Sequence, residues 1–264
     1  MIPEIDNFYE QMVKRNIGVI SAEEQERLRN ACVAVAGCGG IGGLSAEQLV
    51  RIGVGHVKIA DHDTFAVHNL SRQSGSTSAN IGHHKADVLG RHFKDINPKL
   101  RLDIFREGVL PENTDRFLEG AEAVIDGTDF SNLNATVHMY RSAREKGICV
   151  FNPNAIGFGV NVFVFGPDTI SLEDHMGLSS GVDLHMALLK LVPYLPAYIA
   201  PEIVQKAASG EIPIPNIAMP QHLASSIAIA EVVMMLIGRV QPPAGPDPRI
   251  FILDLLDRKF SVTG

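Results

Sequence analysis

The sequence predicts an α/β protein: a doubly wound, mainly parallel sheet with an N-terminal helical arm and one irregular insertion. Three observations carry that reading. Short continuous apolar runs, of the kind seen in strands covered on both faces, alternate with stretches of helical spacing. A glycine turn, Gly37-Cys38-Gly39-Gly40-Ile41-Gly42, joins the first such run to the first long helical stretch. Finally, 264 residues with 45% hydrophobic content can bury a substantial core.

Taken in order, residues 1–30 read as the arm, helical from residue 5, with Ser21 and Glu24 in capping-box spacing. Cys32 to Ala36 is the first strand, and Ile41 to Ile52 the helix after the glycine turn. A second strand, His56 to Ala60, ends at Asp61; a polar segment from His62 to Gly82 leads to a helix from Lys85 to Asp95. Leu100 to Arg106 and Ala123 to Ile125 read as strands, Leu133 to Lys146 as a helix, and Cys149 to Phe151 and Asn161 to Phe165 as further strands. Seven prolines break any long element between residues 166 and 220, so this segment reads as a lid or substrate-facing insertion. A helix over 222–238 and an alternating strand from Ile250 to Phe260 complete what reads as one domain over residues 1–264.

A formal charge of -7 argues against holding nucleic acid by phosphate neutralisation, which needs a basic face. Cys32, Cys38 and Cys149 are too few and too scattered for a disulfide framework or a zinc knuckle. That cysteine usage makes the cytoplasm the default compartment, and the N-terminus, acidic where a secretory signal would be basic, does not read as a targeting segment. Ser225 to Gly238 is apolar but contains Glu231 and falls short of the ~20 residues that span a bilayer; it reads as a buried helix.

A glycine turn between strand and helix offers backbone N–H groups and the positive end of a helix dipole to a phosphate. Asp61, at the end of the next strand, is placed to accept from ribose hydroxyls. These two features leave open a dinucleotide site for NAD or FAD, a mononucleotide site, and a tight turn without ligand. The segment that follows separates them: Asp61-His62-Asp63, then His68-Asn69-Leu70-Ser71-Arg72-Gln73, then Gly82-His83-His84-Lys85. A dehydrogenase has no need of Arg72 and Lys85 there, whereas transfer of AMP does, because the departing pyrophosphate gains negative charge.

In these motifs the chain resembles the ubiquitin-activating-like ThiF/MoeB/HesA family, marked by a GxGGxG turn, a strand ending in Asp, an N-L-x-R-Q motif and a later Lys. Asp126-Gly127-Thr128-Asp129 is similar to the family's D-x-T-D segment, and Pro220 with the helix through Glu231 to its late helix. The resemblance implies a Rossmann-like fold and an adenylyltransferase in which a substrate carboxylate attacks the α-phosphate of ATP. It implies that Gly37, Gly39, Gly40 and Gly42 cradle the phosphates, with Gly39 and Gly40 under the α-phosphate. Asp61 and Asp63 would serve the nucleotide, Asn69 and Gln73 position it, and Arg72 and Lys85 neutralise it. Asp129 would hold Mg²⁺, and Arg15 would act across a homodimer interface. The acid would be the C-terminus of a ubiquitin-like protein or peptide, or a small molecule; tRNA is disfavoured by the acidic composition. An NAD-dependent oxidoreductase and a non-catalytic nucleotide-binding protein are the competing readings.

The chain departs from the family pattern in places. Residues 150–264 contain no cysteine, so a downstream thioester and a zinc site are not expected. Phe130 stands where the family commonly has Asn, and Asn134 where it often has Arg. His62, His68, His83 and His84, or Asp174, His175, Asp183 and His185, are candidate metal groups whose simpler reading is solvated loop. Cys38 reads as a small residue in a tight turn, Cys149 as core, Asp126 as a turn cap or second metal ligand, and Lys58, Arg51 and Arg91 as solvated.

Overall fold

The computed structural model describes residues 7–129, 132–180 and 184–264. The arm holds two helices, α1 (Phe8–Met12) and α2 (Ala22–Asn30). The capping box predicted at its second helix is present: Glu24 N–H donates to Ser21 Oγ, and Ser21 N–H to Glu24 Oε2. Then come β1 (Cys32–Ala36), α3 (Gly40–Ile52), β2 (His56–Ala60), α4 (Lys85–Ile96), β3 (Arg101–Phe105), α5 (Thr114–Leu118), β4 (Ala123–Asp126) and α6 (Leu133–Glu145). Beyond them lie β5 (Cys149–Ile156), β6 (Gly159–Phe165), α7 (Leu172–Met176), α8 (Leu184–Leu189), α9 (Pro201–Ala208), α10 (Ala218–Leu236), β7 (Arg249–Asp254) and β8 (Lys259–Thr263).

The eight strands of the described residues form one sheet in the order β3-β2-β1-β4-β5-β6-β7-β8. The first five pair in parallel and the last three add antiparallel. Alternating strand residues feed two apolar layers. Val33, Val35, Ile59 and Ile125 meet α3, α4 and α10 on one face, while Ala34, Val124, Phe163 and Phe165 meet α5, α6 and α7 on the other. The chain reverses its winding direction between β1 and β4, which opens a crevice at their carboxyl ends where ligands of such sheets bind.

Several elements differ from expectation: α5 has no counterpart in the sequence reading, and β5 runs on to Ile156, beyond the expected Phe151. The final strand is a hairpin, because Asp254 is fully buried and its Oδ1 accepts from the N–H groups of Leu256 and Asp257, turning the chain between β7 and β8. The late helix starts earlier than predicted, at Ala218, since Pro220 falls in its first turn, where an amide N–H has no helical partner. By length and composition this 19-residue helix could cross a membrane. It packs instead against α3, β5 and β6, shares a Ser45–Ser225 hydroxyl contact of 3.0 Å, and pairs its low-exposure Glu231 with Arg249 at 3.2 Å.

The insertion is not a bare loop. Leu172, Met176, Ala187 and Leu191 enter the second apolar layer, and His175 packs its ring against Phe163 and Phe165. Lys58, expected in solvent, is 3% exposed. Its ammonium donates to the carbonyls of Arg116 in the last turn of α5 and of Glu119 just past it, where helix carbonyls lack partners and favour a cation.

Candidate nucleotide site

The glycine turn is held by backbone contact as close as glycine permits. Gly37 has φ +87°, donates to Ala60 O at 2.7 Å, and a Cβ on it would meet Gly127 O at 2.6 Å. A Cβ on Gly42 would lie 2.0 Å from Gly37 O. The turn after β1 and the loop after β4 are thereby locked together at the crevice. Asp61, 8% exposed, fastens the same turn: its Oδ2 accepts Cys38 N–H at 2.6 Å and its Oδ1 accepts Asp63 N–H at 2.8 Å. Each carboxylate oxygen retains a second lone pair for a ligand hydroxyl.

Gly39 and Gly40 differ in what surrounds them. A Cβ on Gly39 would make only an ordinary contact, 3.6 Å from Gln73 Nε2, so no protein backbone demands glycine there. On Gly40 it would strike Gln221 Oε1 at 1.3 Å. Gln73 and Gln221, 8% and 4% exposed, both carry a buried side-chain oxygen without a hydrogen-bond partner. Two carboxamide oxygens without partners against the amino end of α3 are an observation that favours a bound polar ligand. Gln221 was missed in the sequence. A polar residue after a proline at the start of an apolar helix was the available signal.

Lys85, 6% exposed, donates from Nζ to Asp63 Oδ2 at 2.8 Å. Burial pushes the Asp63 carboxyl up, but the Lys85 hydrogen bond and charge outweigh it and hold the group below the ordinary aspartate range. Asn69 is buried and its Oδ1 accepts Ala66 N–H, shaping the short turn it sits in; Arg72 donates to His68 O at 2.9 Å from that same loop. Asp129 is exposed three residues past the end of β4.

Arg15 is exposed and does not join this group. Its arm is stitched to the far end of α3, with Asn16 donating to Ile52 O and Tyr9 to Gly53 O. Thirteen helical residues separate those ends by about 20 Å.

Asp126 is a turn cap. Fully buried, it accepts from Thr128 N and Oγ1, Tyr140 Oη and Asn152 Nδ2. Burial raises its carboxyl above the usual range against the pull of those donors. The folded state therefore holds that proton more tightly than the unfolded chain, and this group's contribution to stability declines as pH rises from the ordinary aspartate value through the raised one. A pH-resolved urea titration should show that decline in the natural protein and not in Asp126→Asn.

The remaining candidates resolve as follows. Among the described residues, the acid and imidazole groups that approach closely enough to share a cation are Asp61, His62 and Asp63, of which the two carboxylates already serve the turn and Lys85. Asp174 accepts from Ser171 and Ser179 in a local cap. Asp183 and Phe130 lie outside the described residues, as does the side chain of His185. Cys38 is 2% exposed and burial pushes its thiol up; Cys149 is likewise pushed up to about 11. Both are core thiols, as the sequence implied for Cys149; Cys38 was expected only to fill the tight turn.

A model of the ThiF family matches residues 13–261. The sulfur carrier protein adenylyltransferase of Thermus thermophilus is 27% identical over 261 residues, 97% of this chain and 86% of that protein. The tRNA threonylcarbamoyladenosine dehydratase of Haemophilus influenzae is 33% identical over 141 residues, 53% of this chain, which spans only 54% of that relative. Among solved structures, PaaA superposes with a TM-score of 0.74 at 19% identity, over all of this chain and 85% of its own. E. coli MccB with MccA-N7isoASN gives 0.71 at 16% identity, over 99% of this chain and 72% of its own. At these identities the two structures show a shared fold.

Proposed function

This chain belongs to the ThiF family and is an ATP-dependent adenylyltransferase of it; from that premise we propose that it joins a peptide, protein or small-molecule carboxylate to AMP, working as a cytoplasmic homodimer. One carboxylate oxygen attacks the α-phosphorus, the bond to the bridging oxygen breaks, and pyrophosphate leaves with its electron pair. The observation that carries the reading is the glycine turn fastened by Asp61 and faced by two unpartnered carboxamide oxygens, with Lys85 on the same side-chain network. Backbone N–H groups at the amino end of α3 receive the phosphates. Gln73 orients them, and Arg72 and Lys85 offset the charge that builds on the leaving group.

Mg²⁺ accompanies ATP and neutralises phosphate charge. It takes hard oxygen ligands and commonly only one or two protein carboxylates; Asp129, exposed in the loop after β4, would supply one. No cysteine relay is part of this proposal: the three thiols are buried and residues 150–264 contain none. The relatives' names include a sulfur carrier protein and a tRNA among their substrates; the charge of -7 favours the former kind here.

ATP with Mg²⁺ should stabilise the fold by about 2.7 kcal/mol at a hundredfold excess over Kd, and a cognate acid should support ATP:pyrophosphate exchange. Stabilisation without exchange for any acid would identify a nucleotide-binding protein without turnover. Unchanged exchange in Asp129→Ala would remove the metal assignment.

A further inference from the structure

Helices α3 and α10 begin side by side. Gln221, in the first turn of α10, reaches Gly40 at the start of α3. Further along, the hydroxyls of Ser45 and Ser225 meet at 3.0 Å, and Gln48 Nε2 donates to Ser225 Oγ at 3.0 Å. The two helices therefore run in the same direction with their amino ends together. Neither has a side-chain cap, since Gly39 has no side chain and Ile217 an apolar one. The first N–H groups of both lack helical acceptors, and two positive dipole ends meet at one place. Ala218 is half-buried and Met219 is 57% exposed, so this place opens to solvent.

Gln221 lies between the two ends. It is 4% exposed, its Oε1 has no partner, and that oxygen fills the space of a Cβ on Gly40. A carboxamide oxygen turned toward a helix amino end stands where an oxygen of a bound anion would stand. The last torsion of glutamine is broad and roughly two-fold, so an arriving anion is met by Nε2 once the carboxamide turns.

The order of the strands says which anion this is. Asp63, Arg72 and Lys85 follow β2, whereas α10 packs on β5 and β6, which lie on the opposite side of β1 in the sheet. In phosphoryl transfer the attacking and leaving oxygens lie roughly in line through phosphorus. With pyrophosphate leaving toward Arg72 and Lys85, the nucleophile comes from the side of Gln221.

We propose that the amino end of α10 and the Gln221 carboxamide form the seat of the attacking carboxylate, a second anion subsite beside the phosphate cradle of α3. One carboxylate oxygen faces the phosphorus. The other accepts from Gln221 Nε2 and from N–H groups in the first turn of α10, and it becomes the carbonyl oxygen of the mixed anhydride as pyrophosphate departs. Gln221 is a positioning residue and serves any class of acid. This rests on the adenylation reading above and adds to it the place and partner of the nucleophile.

The test compares the Kd of AMP, which fills the phosphate cradle alone, with that of N-acetylsulfamoyl adenosine, a stable acyl-adenylate mimic that carries a carbonyl into the seat. The natural protein should bind the mimic more tightly. Gln221→Met keeps the length of the side chain and removes both polar atoms; it should cut the mimic's advantage over AMP by roughly tenfold or more, the scale of one hydrogen bond to a charged group. The Tm of this variant without ligand should rise, because an unpartnered buried oxygen is gone, whereas a merely structural role would lower it. Gln221→Leu gives the same comparison if methionine prevents folding. An unchanged advantage in both variants, equal weakening of both ligands, or equal affinity of the natural protein for AMP and the mimic would overturn the proposal. Failure of the natural protein to bind AMP or Mg-ATP would instead bring down the adenylation reading beneath it.

Discussion

Gly42→Ala is expected to abolish the ATP-induced rise in Tm and to cost the fold about 1–3 kcal/mol or more. The added methyl would sit 2.0 Å from the carbonyl oxygen of Gly37, and that atom cannot retreat. Gly37 is itself pressed against Gly127 and tied to Ala60, so relief requires parting the loops that follow β1 and β4. Gly40→Ala makes the informative contrast. Its methyl meets only the end of the Gln221 side chain, which can rotate, so the fold should survive better while nucleotide affinity drops. Urea melts with and without Mg-ATP distinguish the two. Equal stability of the Gly42 variant and the natural protein would mean the turn is not built as described.

The second large effect concerns Lys85. Lys85→Ala should lower the rate of adenylate formation by about 10²–10³-fold, the scale on which a single preorganised charge in an active site acts. Its effect on the fold should be small, because the partner Asp63 is half exposed and can return to water. Single-turnover pyrophosphate release gives the rate, and a melt without nucleotide gives the fold. A loss of stability with an unchanged rate would recast Lys85 as a structural ion-pair partner. Mixing this variant with Arg15→Ala adds a further reading. If arginine acts across the interface, heterodimers contain one intact site and the mixture recovers activity that neither parent has.

Much of the site was legible because its determinants are local. A glycine needed by the turn that contains it, an aspartate that closes the adjoining strand, and a lysine opening a helix all keep their meaning within a short window. Lys58 was misread for the opposite reason. Its alternating strand pattern resembles that of a solvated lysine, and only the distant carbonyls of Arg116 and Glu119 make its burial tolerable. Gln221 offers a linear reading only its place after Pro220 at the start of an apolar helix; its contact with Gly40 joins α10 to α3 across the fold and is not written in the neighbouring residues. The hairpin at the end was hidden by Leu255 and Leu256, which are exposed in the turn yet continue the apolar alternation of a strand.

The attachment of the arm to the far end of α3 has a kinetic consequence. The arm that carries Arg15 is tied to the end of α3 about 20 Å from the turn of its own chain, so on the proposed role for Arg15 a single chain would not complete its own phosphate cradle. On the proposed role for Arg15, the rate per molecule is set by how much of the protein is paired, and at high dilution the reaction becomes second order in enzyme. Synthesis level would then govern output more steeply than in proportion, without any effector.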